Sequence, residues 1–426
     1  MLMQLDKHRV WFIVLVLLFR CLLEVSYVSV VSPFFSYSGF LLNFSYFNYF
    51  LSWVIFLSGF LGLSDRLNNL SDIFYITGFM LVMAPLSVLY GYDSDRELYP
   101  VIVSSAAIAF VIFITSIKSI SFRKLPTVKG GLTYAVVISA MFVIFLINWY
   151  YISGVSFNLD LKKVYDFRID NQDLAGGALF SYTNNWTFKI FNMFLLSVAL
   201  LYSRFFLALL IMVVQVYFFA ASAHKGVLFT PFIIVGAWFY FKKSNSLVFV
   251  PAALSLLVLL TLVTFYLVDD IALSSFFSRR LFFVPANLTY AYFDFFSQNP
   301  NIIWSNSVLS SFLEYPYDSS MAKVIGGFLG SPDMGANNGF VASGYAHAGI
   351  FGVFFYSLII GMILRFLNHT TSNFLPLWFS ISLSLTPIRT LIVSSDLFVV
   401  MLTHGFLVAL ILIFFARSKR YEAFEK

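Results

Sequence analysis

Residues 246–268 read SLVFVPAALSLLVLLTLVTFYLV, without one acidic or basic side chain, and are closed by Asp269 and Asp270. About 20 apolar residues in helical form cross the hydrocarbon of a bilayer. Backbone buried in lipid must satisfy its own hydrogen bonds, which a helix does within one segment. Comparable runs recur near 10–31, 41–62, 72–90, 99–117, 131–150, 188–203, 205–222, 226–241, 339–364, 374–394 and 397–416. The runs are continuously apolar rather than alternating, which argues against an outer-membrane barrel. The expectation is an all-α, polytopic membrane helix bundle of about 12 transmembrane helices, treated as a single membrane domain over 1–426.

Composition agrees. Hydrophobic residues make up 60% of the chain and charged ones 11%, against roughly 25% charged in soluble domains, and mean hydropathy is +0.88. The first run carries Arg20 and Glu24 and lacks a small-residue cleavage site, so it is expected to be a retained helix. That pair is spaced i,i+4 and can neutralise itself on one helix face. The single cysteine, Cys21, allows no intramolecular disulfide.

Only two connections are long, 151–187 and 269–338. With both termini cytoplasmic, the inner segments hold fifteen of the 26 basic residues and only five of the 20 acidic ones. That bias follows the positive-inside rule and puts both long loops on the opposite, periplasmic side. The turns at Ser203–Arg204 and Ala223–Lys225 are the shortest links in this topology. The net charge of +6 is spread over helix ends, so no nucleic-acid partner is expected.

Motifs of soluble chemistry are missing: no phosphate-binding loop, no dinucleotide fingerprint, no HExxH and no CxxC. The five histidines lack metal-ligand spacing, so neither metal nor cofactor is expected. A transferase facing away from the cytosol needs a substrate that arrives activated, and a lipid diphosphate is the usual form. Arginine suits such a leaving group because its planar, permanently charged fork donates two hydrogen bonds at once. The first loop offers Arg168 among aspartates. The second offers Phe276-Phe277-Ser278-Arg279-Arg280-Leu281-Phe282-Phe283, suited to lie along the interface with its guanidiniums at headgroup depth. Ordinary headgroup anchoring explains Arg279 about as well as a catalytic role does. Lys225 at an outer turn and Arg389 near the outer end of its span are further cations, although both could snorkel to the surface.

The densest polar signal is Met334-Gly335-Ala336-Asn337-Asn338-Gly339-Phe340, running into Ser343-Gly344-Tyr345-Ala346-His347-Ala348-Gly349. Gly344, Ala348 and Gly352 recur every four residues, a spacing that admits another helix closely. Asn337 and Asn338 at the mouth of the span could bond sugar hydroxyls or cap the helix. For His347 an interhelical hydrogen bond is favoured over catalysis, and His404 in mid-span reads as structural.

With these segments the chain resembles the O-antigen (oligosaccharide repeat-unit) polymerases of bacterial cytoplasmic membranes. The resembling features are Asn-Asn-Gly-Phe and Gly-Tyr-Ala-His-Ala-Gly at 337–349, Ser-Arg-Arg-Leu-Phe-Phe-Val-Pro at 278–285, and Asp-Phe-Phe at 294–296. Thr-His-Gly at 403–405 and Arg168 also fit. The resemblance implies a GT-C-like glycosyltransferase of the inner membrane that needs no metal. It would move a growing glycan from undecaprenyl diphosphate onto a lipid-linked repeat unit at the periplasmic face, with a chain-length regulator protein as an expected partner. It further implies that Arg168, Arg279, Arg280 and Arg389 bind the two diphosphates and stabilise the leaving charge, while Lys225 is a substrate-binding candidate on its position alone. Asp333, Glu314 or His347 would take the acceptor proton, with Asn337, Asn338 and Tyr345 nearby. A lipid-linked oligosaccharide flippase, the related O-antigen ligase, and a non-enzymatic membrane protein are the competing readings.

Overall fold

The computed structural model describes residues 6–117, 122, 125–160 and 178–417. The described residues are helical and contain no strand, only two isolated β-bridges. Among the described residues, seven helices are long and apolar enough to cross a membrane. We label them, with the other helices, in chain order. The seven are α1 (Lys7–Ser38), α3 (Leu70–Tyr92), α4 (Tyr99–Ser116), α5 (Gly131–Ile152), α7 (Phe205–Ser222), α9 (Phe249–Val268) and α12, whose span is Phe340–Thr371. Shorter apolar helices are α2 (Tyr46–Phe60), α8 (Lys225–Phe241), α13 (Leu377–Val393) and α15 (Phe406–Ala416). A continuous helical run over 178–201 is α6, and Leu397–Leu402 is α14. The tight turns stand where the sequence puts them, because Ser203 and Ala223 adopt left-handed conformations at helix ends.

The chain divides into two compact units, described here separately. Unit 1 comprises 1–117, 246–365 and 389–397, and unit 2 comprises 118–245, 366–388 and 398–426. In unit 2, α5, α6 and α7 pack around Leu146, Tyr150, Phe188, Phe218 and Phe219. Phe142 stacks on Phe191 with ring centroids 4.4 Å apart.

Unit 1 is tied together by Arg20, which has no solvent exposure. Its Nε donates to Glu24 at 2.8 Å, one terminal nitrogen donates to the Ala84 carbonyl and the Ser87 hydroxyl, and the other donates to Ser52 at 2.9 Å. Glu24 also accepts from Tyr49 and Tyr92. Trp53 and Phe56 lie against the guanidinium faces. The i,i+4 pair read from the sequence is therefore the centre of a network joining α1, α2 and α3.

Two departures from the expected topology shape this unit. The segment 269–338 is not a loop throughout. Residues 274–298 form a helix, α10, whose Phe282, Phe283, Tyr290, Tyr292 and Phe293 are buried. Ser, Arg, Asn and Asp interrupt its apolar residues, so hydropathy alone hides it. A shorter helix, α11, covers Met321–Phe328.

The second departure is that α12 is not one straight rod. Ala348 and Gly349 leave helical geometry, with Gly349 at φ 55° and ψ −141°. Residues eight apart in a straight helix stand about 12 Å apart. A Cβ on Gly352 would nevertheless lie 2.0 Å from the Gly344 carbonyl oxygen. Residues 340–347 therefore fold back on the start of the long helix. The small-residue stripe does admit a helix closely, but that helix is its own continuation.

Removing one member of the Arg20 network strands a charge. Arg20→Ala is expected to cost about 3–5 kcal/mol and to lower the unfolding temperature in detergent by many degrees, with Glu24→Gln costing less. An unfolding temperature equal to wild type in Arg20→Ala would remove the network from this role.

Candidate functional site

The folded-back helix 340–347 ends in a polar network of its own in unit 1. Its C-terminal carbonyls would lack partners, and segment 301–304 supplies them. The Ile302 and Ile303 amides donate to Ala346 and His347 carbonyls at 3.0 and 2.9 Å, and the Asn301 side chain reaches Tyr345 and Ala346. Ile303 and Trp304 sit at φ 47° and 54°, a region that costs a non-glycine residue roughly 1–3 kcal/mol. Such a conformation persists only when its surroundings fix it.

His347 does that fixing. The Trp304 backbone amide donates to its Nδ1 at 3.1 Å, so the proton rides on Nε2 and faces Asp396 Oδ2 at 3.2 Å. The same carboxylate oxygen accepts from the Tyr356 hydroxyl at 2.7 Å, and the Trp304 indole donates to Tyr356 at 2.8 Å. Trp304 also stacks on the imidazole, centroids 5.3 Å apart and planes 12° apart. With both ring nitrogens engaged and 1% exposure, His347 has no free lone pair for a substrate proton. The sequence favoured an interhelical hydrogen bond for His347; its partners instead lie outside helices, Asp396 in the short link before α14 and Trp304 in the 301–304 segment.

A second cluster surrounds Arg96. It pairs with Asp93 at 3.0 Å, donates to the Gly39 carbonyl and Asn287, and lies 4.7 Å over the Tyr290 ring. Burial raises the Asp93 carboxyl above the usual range, and Arg96 pulls it back. Asp294 lies one turn beyond Tyr290 on α10. It is open to solvent on one side, yet partial burial raises it too, with smaller opposing effects from Glu97 and Arg96.

No family model, curated protein or solved structure matches the chain. The reading of the site therefore rests on its geometry and on the residues themselves.

Arg279 and Arg280 lie on the first half of α10, which over Ser274–Phe283 is wound as a π-helix. That winding is rare and is found mostly as single turns, often at functional sites. It aligns residues four apart: Ser274 donates to the Thr261 carbonyl and Ser278 meets the Thr261 hydroxyl, while Arg279 reaches back to Ser275. Arg279 packs 4.3 Å over Phe35, and its Nε is buried with no hydrogen-bond partner among the described residues. Burial shifts its pKa downward. Arg280 is exposed and lies over Phe276.

The other expected site residues fare differently. Tyr345 stacks on Phe293 with centroids 3.9 Å apart, linking the folded-back helix to α10. Asn338 is buried. Its amide donates to the Pro285 carbonyl and Thr289, and its oxygen accepts from the Gly339 amide, so it is a structural joint rather than a free sugar ligand. Asn337, Asp333 and Glu314 are exposed in the chain around α11. Arg389 is exposed and has no hydrogen bond or ion pair to a described residue. Lys225 is exposed in unit 2, at the start of α8, and Arg168 lies outside the described residues. Sequence reading missed Arg96, Asp93, Trp304, Tyr356 and Asp396 as members of these clusters. Asp294 had a signal, since it opens the Asp-Phe-Phe triplet.

Loss of Asp396 leaves His347 Nε2–H and the Tyr356 hydroxyl buried without their acceptor. Asp396→Ala is expected to destabilise by about 1–3 kcal/mol and to speed proteolytic cleavage within 299–313 severalfold. Asp396→Asn, which keeps one acceptor oxygen, should sit between. Cleavage unchanged in Asp396→Ala would show that the 301–304 docking does not depend on this carboxylate.

Proposed function

We propose that this protein is a membrane glycosyltransferase, a polymerase that extends a lipid-linked glycan from an undecaprenyl-diphosphate donor. One observation carries the reading: Arg279 and Arg280 form no ion pair among the described residues. By contrast Arg9, Arg20, Arg66 and Arg96 all pair with carboxylates of the chain itself. Two adjacent guanidiniums without a counter-charge, one with a buried unused donor, on an aromatic helix, suit a ligand with two phosphates and an apolar tail.

The proposal includes a twelve-span, GT-C-like arrangement in a bacterial cytoplasmic membrane, with both termini cytoplasmic and α10 on the periplasmic side. Its support is the charge bias of the sequence together with the helix inventory. The seven long helices, the four shorter apolar ones and α6 stand where the twelve apolar runs lie.

In the reaction, the acceptor sugar hydroxyl attacks the anomeric carbon of the donor glycan. The bond from that carbon to the diphosphate oxygen breaks, and undecaprenyl diphosphate leaves with the electron pair. Arg279 and Arg280 stabilise the charge that grows on it. The hydroxyl proton passes to a carboxylate. Asp294 lies on the same helix as the arginines and is held above the usual carboxylate range by partial burial, which makes it a better acceptor than the fully engaged His347. Exposed Asp333 and Glu314 remain alternatives for that role.

The test is the surface glycan of a deletion strain complemented with variants, resolved on a gel. Arg280→Ala is expected to collapse the ladder to a single repeat unit, and Arg280→Lys to restore it only in part, because lysine lacks the fork. A full ladder in Arg280→Ala at normal protein level would remove Arg280 from the site. A deletion leaving no repeat unit would indicate a flippase, and bare core with retained lipid-linked polymer would indicate a ligase.

A further inference from the structure

Unit 2 holds a cation that the proposed reaction does not use. Lys189 lies in a π-helical turn, Thr187–Phe191, inside the apolar helix α6, and it is partly buried. Its only polar partner among the described residues is His404, with Lys189 Nζ 3.3 Å from His404 Nδ1. The ammonium can only donate, so Nδ1 accepts and the imidazole proton rides on Nε2. The pair therefore presents the remaining ammonium hydrogens and an Nε2–H, which has no partner among the described residues. Every group it offers is a donor.

The described part of unit 2 supplies no acceptor charge near the pair. Residues 178–245, 366–388 and 398–417 contain no aspartate or glutamate. The acidic residues of unit 2 are Asp160, which is exposed, and five others that lie outside the described residues. A charged side chain at membrane depth without a counter-charge is costly and marks a functional site by default.

Local backbone brings further donors to the same place. α14 ends at Leu402 and α15 begins at Phe406, with Gly405 between them at φ 77°. A Cβ on Gly405 would stand 2.9 Å from Ile190 and from Trp186, so glycine lets this break press against the turn that carries Lys189. The Trp186 indole clamps it by donating to the Leu402 carbonyl at 2.5 Å. α15, an eleven-residue helix, begins two residues after His404, so its positive N-terminal end follows the imidazole directly in the chain.

We infer that Lys189 and His404 form an anion-binding site for a phosphate-bearing group, separate from Arg279 and Arg280 and independent of the glycosyltransferase reading. The phosphate can belong to a lipid headgroup or be a free anion, and the pair recognises the chemistry they share.

The experiment uses the full chain in neutral detergent. Inorganic phosphate and farnesyl diphosphate are titrated by calorimetry, and co-purified phosphatidylglycerol is counted by native mass spectrometry. Lys189→Met is expected to weaken binding at least tenfold or to remove one retained lipid. Lys189→Arg should stay within a few fold of wild type, and His404→Phe should fall between. Loss of the inorganic phosphate response assigns a free anion, and loss confined to farnesyl diphosphate or phosphatidylglycerol assigns a lipid. The same Lys189-dependent binding should persist with Arg279→Ala and Arg280→Ala present, which keeps this outcome apart from the ladder assay. Wild-type behaviour of Lys189→Met in every arm, or no saturable binding by wild type, would overturn the site.

Discussion

A charge held among apolar helices must find its partners inside the protein, because lipid offers none. Arg20 meets that demand in full: carboxylate, hydroxyls, carbonyls and two aromatic faces close around it, and three helices of unit 1 are joined as a consequence. Against that standard, incompletely satisfied cations are informative. Among the described residues, Arg279 has one weak hydrogen bond, a phenylalanine face and a buried Nε without a partner. Lys189 has one imidazole. We propose that Arg279 and Lys189 keep capacity for a ligand, while Arg417, also with one unmet buried donor, is held by the Pro126 and Phe414 carbonyls.

The satisfied networks also explain how unit 1 holds its unusual backbone. Residues 340–347 fold back on α12, and the left-handed pair Ile303–Trp304 docks on their exposed carbonyls. Asp396 collects His347 and Tyr356, His347 receives the Trp304 amide, and the Trp304 indole returns to Tyr356. This cycle of hydrogen bonds fixes the mouth of the folded-back helix. Tyr345 stacked on Phe293 then sets α10, the helix of the two arginines, against it.

Much of the architecture was legible in the sequence because lipid imposes a simple rule: long apolar runs must be helices. Runs such as 246–268 and 131–150 therefore reappear with nearly the expected bounds. α10 was not legible as a packed helix, since Ser278, Arg279, Arg280 and Asn287 break its apolar pattern while its phenylalanines and tyrosines still bury. The fold-back at 348–349 was hidden because Gly344, Ala348 and Gly352 give the same spacing whether the close partner is a neighbouring helix or the chain's own return. At the site, Tyr345 and His347 were recognised from a local run. Asp396 and Trp304 were not, because only the tertiary fold brings positions 304, 347, 356 and 396 together. For Asn338 the sequence left sugar binding and helix capping open, and its engagement was not legible because its partners Pro285 and Thr289 are some fifty residues away.

The most direct measurement is an experimental density map of the protein bound to undecaprenyl diphosphate in a lipid nanodisc. The account predicts diphosphate oxygens within hydrogen-bond distance of Arg279 Nε and the Arg280 guanidinium. A diphosphate bound elsewhere, with Arg279 Nε still buried and unpartnered, would contradict it.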